Sequence, residues 1–188
     1  MSSRLVSTSF VGSSIGGAQG AWRVTAMDAV LGAPLSPVAA VTVIDGEAAP
    51  VAPAWILRGV ASHLRYTTHA ERAELVQRQE GLGRPGASLA ALIPLRKSPA
   101  WWALAQDERR RIIVDSSQHF SVGMRYLPAI ARKLYHSRDL GEDFDFITWF
   151  EYAPGHAAAF AELLSLLRAT EEWQYVDREL DIRMERAT

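Results

Sequence analysis

Apolar residues along this chain follow two periods, and the switches between them mark its elements. Up to about position 66, short runs rich in β-branched and aromatic residues alternate with turn clusters. They predict strands over 4–11, 21–27, 38–44 and 55–66. Helical spacing takes over next. Thr68 and Glu71 form a capping box, and Leu75, Val76 and Gln79 share the inner face of a helix ending near Gln79. After GLGRPGAS the pattern predicts a strand over 89–97, then a helix with Ser98 as N-cap and Pro99 as first residue, running to about Phe120. Strands over 129–136 and 144–153 flank SRDLGED, a hairpin signal. Pro154 opens a helix with Phe160, Leu163, Leu164 and Leu167 inside, and Val176, Leu180, Ile182 and Met184 alternate along a last strand. The second half therefore reads βαββαβ, the ferredoxin-like pattern of an α+β protein.

Two side chains stand out against this pattern. In QDERRRIIVDSSQHF, His119 falls at helical spacing with Ile112, Ser116 and Phe120. Thirteen residues later, in PAIARKLYH, strict alternation places Arg132 on one strand face with Ile130, Leu134 and His136. A guanidinium among Ile and Leu is costly to bury unless it meets an anion or a carboxylate. A neutral imidazole facing inward is a common ligand for iron. Together they suggest a pocket for a metal centre and a small anion. Each alone also fits a plainer role, as a hydrogen-bonded core histidine or a strand-edge ion pair.

Composition narrows the classes. The 188 residues, 48% apolar and 9% aromatic, are enough for a full core in one large domain or two small packed ones. A net charge of −1 gives no bulk attraction to nucleic acid or an anionic membrane. The absence of cysteine rules out disulfides, thiolate-ligated haem, iron–sulfur clusters and Cys-type zinc sites. The five histidines show neither HxxxH nor HExxH spacing, and there is no GxSxG elbow or P-loop. GSSIGGAQG is glycine-rich but leads into strand-like WRVT, whereas a dinucleotide loop must open a helix. No secretory signal pattern and no apolar run of the ~20 residues that span a bilayer is visible, so a cytoplasmic protein is expected.

The blocks LIPLRKSPAWWAL, DERRRI, LPAIARKLYHSRDLGEDFDFITWFEYAP and LRATEEWQYVDRE occur in order and at fixed separations. In them the chain resembles the short, dimeric branch of the chlorite dismutase family. The resemblance runs through the C-terminal half and continues more loosely to the N-terminus. It implies a dimeric α+β barrel, with a shortened, mostly β domain over 1–87 of a fold related to the haem-binding domain over 88–188. It further implies haem b, a homodimer, and conversion of chlorite to chloride and dioxygen through an iron-oxo and hypochlorite stage.

By resemblance, His119 is the axial ligand of the haem iron, and a glutamate holds its other nitrogen. Spacing points to Glu172, with Glu171 the adjacent alternative. Arg132 matches the distal arginine, a fixed cation that can attract chlorite and retain hypochlorite. Gln79 matches a glutamine near that arginine. Lys97 and Trp101 match residues at the haem edge, Trp102 completes an aromatic pair, and Tyr66 is a candidate propionate contact. Two further readings accompany the resemblance: a coproporphyrin-haem decarboxylase, which carries a different residue in place of Arg132, and a haem-binding protein with weak peroxidase activity.

Overall fold

The computed structural model describes residues 7–15, 22–46, 52–61, 73, 78 and 81–187. Its strands are β1 (Ser7–Ser13), β2 (Trp22–Leu31), β3 (Ala40–Asp45), β4 (Trp55–Ala61), β5 (Leu89–Lys97), β6 (Ile130–His136), β7 (Phe146–Tyr152) and β8 (Val176–Arg186). They close into one antiparallel barrel in the order β1-β3-β2-β8-β5-β7-β6-β4. Closure occurs within a single chain. Trp22 to Leu31 pairs along β8, and Val60 and Ala61 of β4 pair with His136 and Tyr135 of β6.

Alternation along each strand separates two apolar regions. Ala90, Leu92, Tyr135, Ile147, Trp149, Leu180 and Ile182 point into the barrel and meet Phe10, Trp22 and Leu57 from the N-terminal strands. Phe10 lies 5.7 Å from Trp149 and 5.2 Å from Tyr135 between ring centroids. The opposite faces of β5, β6 and β7 present Ile93, Ile130 and Phe150 to helical segments packed outside the barrel. One strand set thus supplies a closed core and, on its other face, the floor of a second compartment.

The first helical region departs from the sequence-based expectation. Rather than one helix to Phe120, it is α1 (Pro99–Ala103), α2 (Gln106–Arg111), a π-helical turn (Ile112–Ser116) and α3 (His119–Met124). Ser98 occupies the N-cap position without a side-chain capping bond; its N–H donates to the Tyr175 carbonyl instead. Helix α4 (Ala157–Arg168) follows β7, and a 3-10 turn (Glu171–Tyr175) leads into β8. In the N-terminal strands Phe10, Trp22 and Trp55 are buried, and the exposed large apolar residues among those described are aliphatic. Of the helix expected to follow Thr68, Ala73 and Arg78 are helical. Tyr66, Thr68, Glu71, Leu75, Val76 and Gln79 lie outside the described residues. Among those described, no helix is long and apolar enough to cross a membrane.

Candidate active site

A cavity lies between the outer face of β5, β6 and β7 and the helical segments. Its volume of about 160 Å³ is far more than a small anion needs. Its floor is the sheet side chains Ile93, Ile130, Leu134, Phe146, Thr148 and Phe150. Leu163, Leu164 and Leu167 of α4 form one wall, and Ile113, Val114 and Phe120 another. His119, Arg132, Lys97, Trp101 and Glu172 all line this space, so residues far apart in the chain meet in one compartment.

His119 reaches the cavity because the chain breaks just before it. Gln118 adopts a left-handed conformation (φ 46, ψ 30), so α3 starts afresh at His119 instead of continuing α2. Ser117 caps the preceding π-helical turn, its N–H donating to the Ile112 carbonyl. Such turns are rare and concentrate at functional sites.

One imidazole nitrogen is committed. His119 Nδ1 lies 2.8 Å from Glu172 Oε2, and Lys97 Nζ donates to Glu172 Oε1 at 2.9 Å and to the Glu172 carbonyl at 3.2 Å. Side-chain exposure is 2% for Lys97, 9% for Glu172 and 24% for His119, so the imidazole is the most open of the three. Burial by itself would raise the Glu172 carboxyl, but His119 and Lys97 outweigh it and hold the group at about 2. Burial pushes the Lys97 ammonium below its ordinary value, with Glu172 opposing. An ionised carboxylate accepting at Nδ1 fixes a proton there and leaves Nε2 as the donor atom. Glu171, the alternative partner, is exposed.

Arg132 reaches the same cavity from β6, with Leu134 and His136 on the same strand face. Burial pushes its guanidinium below the usual value; a guanidinium nonetheless stays charged. Trp101 is fully buried at the cavity edge, with Lys97 Nζ 4.6 Å from its ring centroid. Trp102 faces elsewhere: its indole N–H donates to Asp145 Oδ2 at 3.2 Å, and Arg138 sits 4.0 Å over the ring. It anchors β7 rather than lining the space.

Some participants carry no signal in the sequence. The Ser117 hydroxyl accepts from the Glu172 N–H at 2.9 Å, tying the turn that carries Glu172 to the segment that carries His119. Asp145 accepts from the Lys97 N–H at 2.7 Å and so sets the end of β5. Trp173 also lines the cavity. A serine or aspartate that acts through one backbone group has no spacing rule that would reveal it.

Among the described residues, no group of three or more His, Cys, Asp or Glu could hold a metal ion. A metal bound through His119 would have to bring its remaining ligands with it. A large apolar slot with one free imidazole nitrogen suits a planar macrocycle carrying iron.

A sequence model of the family described as chlorite dismutase matches residues 48–186. The chain belongs to the chlorite dismutase family. A solved structure of dimeric chlorite dismutases from Nitrobacter winogradskyi is 51% identical, covers 95% of this chain and 99% of its own, and superposes with a TM-score of 0.85. A chlorite dismutase from Candidatus Nitrospira defluvii, solved in complex with imidazole, is 20% identical with a TM-score of 0.65. It covers 96% of this chain and 91% of its own, and it extends the likeness of fold alone. No curated protein matches the chain in a sequence comparison. Membership of this family implies an enzyme.

Proposed function

We propose that this protein is a haem b-dependent chlorite dismutase that converts chlorite to chloride and dioxygen. The observation that carries the reading is the His119–Glu172–Lys97 chain, which leaves one imidazole nitrogen available in a cavity that also receives Arg132. His119 would hold the haem iron through its remaining ring nitrogen, with Glu172 fixing its tautomer and strengthening it as a donor. Haem b bound there would supply a redox-active iron able to take an oxygen atom from chlorite and return it within dioxygen.

The chain's own groups do the rest. Arg132 attracts the chlorite anion and keeps the departing hypochlorite close, so that the second oxygen is transferred before it escapes. The Ile, Leu and Phe walls exclude water, which strengthens that electrostatic hold. By the family resemblance, Gln79 would assist Arg132, Trp101 would support the haem edge and Tyr66 would meet a propionate. The sheet order β8-β5-β7-β6 over 88–188 supports a ferredoxin-like haem domain, packed with a shorter related unit over 1–87. The 51% identity to a structure of dimeric enzymes supports a homodimer.

Adding haemin to the purified apoprotein should give a one-to-one complex with a Soret band. His119→Ala should lose most of that band or change its spin state. A Soret spectrum identical in His119→Ala would move the ligand to another residue, and no haem binding at all would overturn the reading.

A further inference from the structure

Trp173 follows Glu172 directly and lines the cavity, yet its indole N–H is turned toward a buried charge. It donates to Glu179 Oε2 at 2.8 Å. Glu179 is fully buried on β8, and its other oxygen accepts from Arg168 of α4 through Nε at 2.9 Å and a terminal nitrogen at 2.6 Å. Arg168 also reaches Asp181 Oδ2 at 3.1 Å.

A wall that needed only packing would be served by Leu or Phe, with no carboxylate taken out of water. Burying that carboxylate is costly, and a buried ion pair is weak evidence of net stabilisation. The junction of α4 with β8 also has a second anchor, Arg168 to Asp181, whereas the Trp173 bond is the contact through which Glu179 reaches the turn. The geometry therefore favours orientation over adhesion.

We propose that Trp173, held by Glu179 and backed by Arg168, is a positioning residue that fixes the Glu171–Tyr175 turn so that Glu172 stays aligned on His119. The inference rests on the proposed haem ligation and concerns the strength of that ligand. Ser117 and Lys97 hold Glu172 itself, at its N–H, its carbonyl and one carboxylate oxygen. The indole holds the next residue from the sheet side. Released there, the turn can shift, the Glu172–His119 bond lengthens, and the imidazole donates less electron density to whatever it ligates.

Trp173→Phe removes the donor while leaving one aromatic ring of the indole's two, and Lys97 Nζ, 5.6 Å from the indole, still faces an aromatic ring. In the haem-loaded protein it should raise the iron reduction potential, in the same direction as Glu172→Gln and by less, with a shifted high-spin to low-spin ratio. In the apoprotein, nitrogen NMR of His119 should show a several-fold rise in the minor Nε2–H tautomer, because the acceptor at Nδ1 is less well placed. Should Trp173→Phe fold poorly, Glu179→Gln serves instead, since an amide cannot accept from both Arg168 and Trp173 as the carboxylate does, and the same shifts are expected. Unchanged potential, spin state and tautomer in a folded variant would overturn the proposal while leaving haem ligation intact. Failure to bind haem would defeat the proposed function, and the apoprotein tautomer would then decide the positioning claim alone.

Discussion

At the scale of single residues, Glu172 carries two burdens with one carboxylate. It neutralises a nearly fully buried lysine and orients a histidine, and each partner helps keep it ionised. Removing its charge leaves Lys97 buried without an anionic partner on Oε1, a change that costs about 3–5 kcal/mol when an ion pair is broken inside a protein. Glu172→Gln should therefore lower the apoprotein's stability at neutral pH, measured by urea unfolding. The sign of its pH dependence follows from the depressed carboxyl. Its contribution is complete above about 4.5, the ordinary value, and is lost as the pH falls through about 2. The wild type should lose stability across that window more steeply than Glu172→Gln, and equal slopes would contradict the pairing. At this scale the sequence was partly legible. His119 and Arg132 stood out because each broke an apolar pattern, and Glu172, favoured over Glu171 by spacing and resemblance, is the buried one of the two adjacent carboxylates while Glu171 is exposed.

At the scale of elements, the break before His119 matters more than the helix that contains it. Gln118 sits in left-handed backbone, which disfavours side chains with a Cβ and most of all β-branched ones. Gln118→Val, β-branched and so stiffer in that backbone, should lower stability below wild type and weaken haem retention, because strain there is relieved by moving the first residue of α3. Gln118→Gly, free of that penalty, should fold at least as well as wild type. Equal urea midpoints for the Val and Gly variants would show that the break does not constrain the chain. Nothing in the hydrophobic pattern announced this division. Ile112, Ser116 and His119 have helical spacing, so an unbroken helix was the simplest reading. The π-helical turn inserts an extra residue without disturbing which side chains are apolar. The strands, by contrast, were readable to within a few residues, because a one-residue slip would turn every inward side chain outward.

At the scale of the whole molecule, barrel closure within one chain removes the edges that open sheets must protect. The contacts that close it are tight. A Cβ at Gly59 would stand 2.6 Å from Tyr135 Cβ, and one at Gly12 would overlap the Trp55 indole. The N-terminal strands complete the core by pairing with β6 and β8, and such long-range register leaves no trace in local sequence. Association is thus not needed to complete the core, and a dimer must instead use the outer surface, by a self-complementary patch. Light scattering at low micromolar concentration should give twice 20.7 kDa. A species of 20.7 kDa alone would limit the functional unit to the monomer.

The central claim is that this cavity turns chlorite into dioxygen under the control of Arg132, and an oxygen-electrode trace on haem-loaded protein tests it most directly. Wild type should release one dioxygen for each chlorite consumed. Arg132→Ala should bind haem normally, since His119 is the donor, yet evolve oxygen roughly a hundredfold more slowly, the scale of losing one preorganised charge. Arg132→Lys should fall between them, keeping charge without the planar fork, and the Ala variant should bleach faster as hypochlorite escapes. No oxygen from the wild type, or wild-type rates without added bleaching in Arg132→Ala, would contradict the account.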